Sequence, residues 1–333
     1  MTVRQKKLIY IAVGVAISVV LLWALFRNID FVRLRQALRG ANYWWLLPNV
    51  LLVLVTMYQR AYRWRFMLLP IKKVPMSKLM AATCIGFMAN NVLPLRLGEF
   101  VRAYSLADQD KDISKSASLA TIFVERMVFD LVALLLIFGG VLMVTSLHID
   151  PKVRTGIYVA ISIALLGIVF MYTLALRPQR AAKLIVRYLF FVPVRIRERV
   201  QEIVLKFSRG LEFVTDIKTF LWVSVQTMLI WIIMGLSNYF VFLAFGFDLP
   251  VSASFMLLVI VSIAILIPSS PGFIGVYHYA AAATLQAYSI SSEKAVSFAL
   301  VLHAAQNRHH PHPPPHLLRA CAATDGPFSG SKS

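Results

Sequence analysis

The sequence predicts an all-α, polytopic membrane protein, and three observations carry that prediction. First, 59% of the 333 residues are hydrophobic and 15% are charged, against roughly 45–50% and about 25% in a soluble domain. Mean hydropathy is +0.72. Second, the apolar residues gather into runs close to the ~20 that a helix needs to cross a bilayer. Third, the net charge of +19, from 34 Lys+Arg against 15 Asp+Glu, lies mostly between those runs, as the positive-inside rule and anionic headgroups require. Disorder is excluded for most of the chain by the same numbers. A disulfide scaffold is excluded by two distant cysteines, Cys84 and Cys321. No nucleic-acid-binding motif is legible, so nucleic acid is not an expected partner.

Leu8–Phe26 is long enough to span and carries no charge, and Arg4, Lys6 and Lys7 precede it. It is too long for a signal peptide and no small-residue cleavage site follows. It reads as a retained first helix with a cytoplasmic N-terminus. Asp30–Gly40 is a short amphipathic segment, with Arg33, Arg35 and Arg39 opposite Phe31, Leu34 and Leu38. Tyr43–Met57 begins a second span and runs on into Tyr58–Arg65, whose alternating aromatics and arginines suit the headgroup belt. Ser118–Ser146, Ile157–Leu176 and Phe220–Phe245 read as further spans. The segment Arg177–Lys218, with ten Lys/Arg and four acids, reads as a cytoplasmic loop with an amphipathic helix near Val194–Phe213. In all, six to eight spans are expected.

Met76–Leu93 and Ser252–Ile267 end in Pro and Gly instead of charge. If Met76–Leu93 crossed fully, the basic loop 177–218 would face outward. If it dips in and returns, that loop is cytoplasmic, so the charge rule favours a re-entrant hairpin. Four arginines in 27–42 count against this topology. A second argument supports it. Pro94 and Pro271, Gly98 and Gly275, and Ser114 and Ser291 each lie 177 residues apart. The halves, about 1–150 and 151–306, then read as an inverted repeat with two re-entrant hairpins, as in transporters whose site lies at the midplane. The plain alternative is chance recurrence of Pro-Gly breaks.

Three constellations carry the candidate chemistry. In the first, Asn90 and Asn91 end an apolar run, Pro94 and Gly98 break the helix, and Arg96 and Arg102 offer forked donors to phosphate, with Glu99 to balance them. Its plain alternative is an interfacial turn touching lipid phosphates. In the second, Glu125, Arg126 and Asp130 fall inside a spanning helix, where each isolated charge costs about 2.5–3.5 kcal/mol. Arg126 and Asp130 are four residues apart and can pair, while Glu125 points elsewhere and needs Arg96 or Arg102. Here the plain alternative is a structural ion pair locking two helices. In the third, Pro268, Ser269, Ser270, Pro271, Gly272 and Gly275 break a helix whose following turn carries His278. Free amides there would face anionic groups, and a lone His is more often structural than a proton relay.

The runs NNVLPLRLGE-x-x-R, ATIFVER-x-x-D and PSSPGFIGVYHYA resemble the lysylphosphatidylglycerol synthase transmembrane family, the flippase-like domain of the multiple peptide resistance factor, over about residues 8–306. The resemblance implies a multi-pass bacterial inner-membrane protein with lipid translocation as its activity. Aminoacyl transfer in that family needs a separate soluble domain, which is not expected in these residues. From Asn307 the pattern of an apolar helix gives way to a His- and Pro-rich stretch. Shifted by one base, its codons can read as an apolar run, so residues 307–333 are expected to be a disordered, frameshifted tail after a truncated last helix.

The expectation is one transmembrane domain, 1–306, that binds or moves a phospholipid or lipid-linked headgroup. Arg96, Arg102 and Arg126 would hold phosphate. Glu99, Glu125 and Asp130 would set local charge, with Asn90, Asn91, Ser269, Ser270 and His278 lining the site. The breaks at Pro94, Gly98, Pro268, Pro271, Gly272 and Gly275 would act as gates. No metal or other cofactor is expected, and the partners are membrane lipids, with a second copy of the chain or a glycan-pathway protein beside them. No nucleophile elbow or nucleotide loop is legible, so the chain is not expected to be an enzyme. The alternatives are a membrane enzyme or accessory factor of polyprenyl-phosphate-linked glycan metabolism, and a non-catalytic scaffold.

Overall fold

The computed structural model describes residues 3–93, 97–145, 151–188 and 193–307. Pro94, Arg96 and all of the expected tail but Asn307 lie outside the described residues. Among the described residues the fold is helical, without a strand. The first half runs α1 (Val3–Phe26), α2 (Phe31–Gly40), α3 (Leu46–Leu68), α4 (Met76–Val92), α5 (Gly98–Gln109), α6 (Lys115–Val124) and α7 (Leu131–Thr145). The second half runs α8 (Pro151–Leu176), α9 (Pro178–Tyr188), α10 (Val194–Arg209), α11 (Ile217–Ala244), α12 (Val251–Ala264), α13 (Val276–Ala287) and α14 (Ser292–Asn307).

Local chemistry sets many of these boundaries. Asp30 caps α2 by accepting from the amides of Val32 and Arg33 at 2.8 and 3.3 Å. Ser114 caps α6 through the amide of Ala117, and Asp216 caps α11 through those of Lys218 and Thr219. Pro75, Pro193 and Pro250 stand immediately before α4, α10 and α12. Proline at such a position has no amide of its own to leave unpaired.

The helices α6 and α7 form one 31-residue rod, Lys115–Thr145, joined by a π-helical turn at Glu125–Asp130. This rod and α11 are each long and apolar enough to cross a membrane. Two bent pairs, α1 with α2 at 89° and α8 with α9 at 111°, raise the number to four. That is fewer than the six to eight spans expected. The helix α3 falls short because Arg60, Arg63 and Arg65 lie in its second half, and α4, α5, α12 and α13 are only 17, 12, 14 and 12 residues long. These four form two packed pairs, α4 on α5 and α12 on α13.

Two helix starts recur at nearly one offset. The starts of α6 and α14 lie 177 residues apart and those of α5 and α13 lie 178 apart. The central helices α3 and α11 pack along each other between the halves. The two larger apolar cores each draw on both halves. One holds Trp64, Met67, Leu79, Leu106, Phe129 and Phe213, and the other Leu25, Phe242, Phe247, Leu257, Leu285 and Phe298. Outward faces stay apolar: Trp23 on α1 is 63% exposed and Leu166 on α8 69%. Such belts are costly in water and are at home against acyl chains.

Candidate functional site

Seven charged side chains from three elements, α3, α5 and the middle of the α6–α7 rod, converge at one place. Arg63 on α3 is 0% exposed and reaches two carboxylates. Its Nη2 lies 2.7 Å from Glu125 Oε1, and its Nη1 donates to Asp130 Oδ1 at 2.9 Å and to Thr227 Oγ1 on α11 at 2.6 Å. Arg102 on α5 donates from Nη1 to both oxygens of Glu125 at 3.1 Å, and its guanidinium lies 4.1 Å from the centre of the Trp64 ring. Arg126 donates to Glu99 Oε1 at 2.9 Å and to Asp130 Oδ2 at 2.9 Å. Trp231 on α11 completes Asp130 with an indole N–H at 3.3 Å.

The sequence of the rod explains its contribution. Eleven residues separate Lys115 from Arg126, about 16 Å at 1.5 Å per residue. The acids therefore sit near the middle of a helix of membrane-spanning length. The π turn adds a residue to one helical turn, a feature frequent at functional sites. Glu125 then faces α3 and α5 while Arg126 and Asp130 stay paired. Full burial of Glu125 and Arg63 is tolerable because each has an opposite charge in contact.

The cluster has a closed side and an open edge. Glu125, Arg63 and Arg102 are at most 1% exposed. The side chains of Arg126 and Glu99 are 20% and 19% exposed.

Of the residues singled out from the sequence, the structure brings together Glu99, Arg102, Glu125, Arg126 and Asp130. Asn90 sits at the hairpin joint, where its side-chain oxygen accepts the amide of Gly98 at 2.8 Å. Gly98 is needed there, because a Cβ would run into the carbonyl of Gly86 and lie 2.5 Å from Asn90 Oδ1. Arg96 lies outside the described residues. Ser269, Ser270 and His278 stand apart, with no hydrogen bond or ion pair to the cluster among the described residues. The amide of Ser270 donates to Ser18 Oγ on α1 at 2.9 Å, and its hydroxyl to the carbonyl of Ile274 at 3.1 Å. His278 Nδ1 accepts the amide of Gly275 at 3.4 Å, and its ring lies tilted against that of His303, with centres 4.5 Å apart. Pro268 and Pro271 are exposed. The break they flank touches the end of α4, where a Cβ on Gly272 would lie 3.7 Å from the carbonyl of Asn91. Gly272 and Gly275 hold φ of +70° and +92°, which only glycine adopts freely.

Two arginines depart from the sequence expectation. Arg60 and Arg63, expected as headgroup contacts, are 5% and 0% exposed. The reason is periodicity: Arg60, Arg63, Trp64 and Met67 share one face of α3 at spacings of three and four. That face meets α4, α11 and the rod, whereas Tyr58 and Arg65 point outward. The spacing is visible in the sequence, but alternation with aromatics masks it.

Comparison with known proteins fits this architecture. A profile described as lysylphosphatidylglycerol synthase TM region matches residues 11–307. The UPF0104 membrane protein MJ1078 of Methanocaldococcus jannaschii is 27% identical over 193 residues, 57% of this chain and 76% of that protein. The glycosyltransferase AglD of Haloferax volcanii is 28% identical over 258 residues, 69% of this chain but only 41% of AglD. No solved structure matches. With nearly the whole described chain inside the profile, the protein belongs to the family of the lysylphosphatidylglycerol synthase transmembrane region.

Proposed function

We propose that this membrane protein binds a lipid headgroup at the Glu125–Arg126–Asp130 cluster and carries it across the bilayer, without chemical turnover. The observation that supports this is the open edge. A purely structural ion network gains by closing on every side, since water and salt weaken it. This network buries five members and leaves one pair, Arg126 and Glu99, at about a fifth exposure. A zwitterionic or anionic headgroup entering there exchanges partners with that pair: phosphate with Arg126, a cationic group with Glu99. Asn90 and Asn91, at the end of α4, line the path in this proposal. The α4–α5 and α12–α13 pairs enter the bilayer and return, and their Pro-Gly breaks let the halves rock. The setting is a bacterial inner membrane, with the N-terminus in the cytoplasm.

The test is translocation in liposomes containing the purified protein, read as the fraction of a fluorescent phosphatidylglycerol accessible to an outside quencher. Wild type accelerates exchange, and Glu99→Gln and Arg126→Ala slow it at least tenfold. Unchanged rates in both variants would end the proposal.

The similarity to AglD favours a second reading of the same site. The lipid would be a polyprenyl-phosphate-linked glycan, and the chain would serve a partner enzyme or a second copy of itself. A lipid bound to the purified protein that carries a polyprenyl phosphate, seen by mass spectrometry, selects this reading.

A further inference from the structure

Arg60 stands out from its neighbours. Among the described residues the cluster sets four guanidiniums, of Arg60, Arg63, Arg102 and Arg126, against three carboxylates, of Glu99, Glu125 and Asp130. The geometry gives every carboxylate to the other three arginines. Arg60 is 5% exposed and forms no ion pair. Its Nη2 meets only the sulfur of Met234 at 3.0 Å, and its Nη1 has no hydrogen-bond partner. Asp130 and Glu125 attract it across the cluster but neither pairs with it, and a buried cation with no carboxylate in contact is costly to hold.

Its surroundings indicate what is missing. The guanidinium of Arg60 lies 5.4 Å from the centre of the Phe87 ring, and that of Arg126 lies 5.8 Å from the same ring. Two cations therefore flank one aromatic side chain, and one of them stands at the open edge of the cluster. Like charges held near each other repel, and Asp130, which attracts both, pairs directly only with Arg126 of the two. The other unpaired guanidinium nitrogens are not equivalent. The Nε and Nη2 of Arg102 belong to a group that lies against Trp64 and pairs with Glu125, and Arg63 spans Glu125 and Asp130.

We propose that Arg60 is the anion-binding residue of the site, its Nη1 donating to a non-bridging oxygen of a phosphate ester that enters past Arg126. This deepens the proposal above and rests on it: the group recognised is the phosphate, and the rest of the headgroup is left to Glu99. Lipid phosphodiester and free phosphate share this chemistry.

Tryptophan fluorescence of the purified protein in neutral detergent tests the proposal, with Trp231 and Trp64 as reporters beside the cluster. The probes are dihexanoyl-phosphatidylglycerol, inorganic phosphate and uncharged dihexanoylglycerol. Wild type is expected to saturate with the phospholipid and not with dihexanoylglycerol. Saturation by inorganic phosphate as well identifies any phosphate as the ligand, and phospholipid alone identifies the headgroup. Arg60→Met weakens the response at least tenfold, and Arg60→Lys, which keeps the charge without the fork, falls between. Free Arg60→Met melts at or above the wild-type temperature, because it loses an unpaired buried charge. A lower melting temperature would make Arg60 structural and overturn the proposal. So would wild-type phospholipid affinity in Arg60→Met, or equal affinity for dihexanoylglycerol. If Arg60→Met binds and translocates like wild type, only this inference fails. If wild type binds and translocates nothing, the proposed function fails with it.

Discussion

Glu125→Gln is the substitution on which the cluster's electrostatics predict most. The carboxylate is 0% exposed and lies 2.7 Å from Arg63 and 3.1 Å from Arg102. At an effective dielectric of about 20, two unit charges near 4 Å attract by roughly 4 kcal/mol, so two partners give about 8 kcal/mol before desolvation is subtracted. Glutamine recovers part of the desolvation penalty but leaves two buried guanidiniums without that counter-charge. It also turns an amide donor toward groups that only donate. Breaking a buried pair from one side costs about 3–5 kcal/mol, and that is the expected loss. Unfolding by sodium dodecyl sulfate in mixed micelles, followed by far-UV circular dichroism, reads it directly. A second variant separates charge from shape. In Glu125→Met with Arg102→Met, both ends of one pair become apolar, and about half of the loss should return, since an apolar pair of similar volume replaces a buried ion pair at little cost. A loss below about 1 kcal/mol in Glu125→Gln, the range of exposed ion pairs, would mean that water reaches Glu125, and the account of a dry, paired interior would fall.

Three further outcomes follow from local geometry. Gly98→Ala places a Cβ against the carbonyl of Gly86 and should separate α4 from α5, costing more than about 3 kcal/mol, beyond ordinary overpacking; the same detergent titration reads it, and a wild-type midpoint refutes it. Trp231→Phe removes one indole donor from Asp130 and should cost about 0.5–1.5 kcal/mol while translocation persists. Asp110, buried at the end of α5, holds Lys72 at 2.8 Å and Lys78 at 3.2 Å, and its bond to Lys72 keeps its carboxyl below the usual aspartate range. A depressed carboxylate stabilises the fold above its unfolded pKa and loses that contribution as pH falls through its folded one. Wild type should therefore lose stability progressively below about pH 4, the ordinary aspartate range, and Asp110→Asn should show a smaller loss over that window in melting curves.

How much is legible depends on whether a signal is local. The apolar runs mark the helices, and Ser114 and Asp30 mark their starts, because a cap acts within three residues. The pairing of Arg126 with Asp130 is readable from a four-residue spacing, and the need of Glu125 for an arginine beyond its own helix follows from its direction on that helix. The arginine partner from α3 is not readable. Arg63 comes from 62 residues upstream, and its alternation with Tyr62 and Trp64 imitates an interfacial belt. Separation of the second break from the cluster is equally hidden. Ser269, Ser270 and His278 have the composition of a site, but the hydrogen bonds of Ser270 and His278 run to α1 and to their own loop. The π turn has no sequence signature, since it answers to packing around Glu125.

Under the 177-residue offset of the Pro-Gly breaks, the charge falls on one side only. Residues 177 positions after Arg60, Arg63, Glu99, Arg102, Glu125 and Arg126 are Ser237, Phe240, Val276, Tyr279, Leu302 and His303. No member of the charged cluster in the first half has an ionisable acid or base as counterpart except where His303 matches Arg126 and the phenol of Tyr279 matches Arg102. Burying one such network is already near the limit of what pairing can offset, because each ion removed from water costs several kcal/mol. A second would double that cost for no added path. Phe242, Phe298 and Leu285 of the second half pack in an apolar core instead, and α3 packs along α11. Among the described residues the large charged network therefore sits on α3, α5 and the α6–α7 rod, with Arg126 and Glu99 as its more exposed pair.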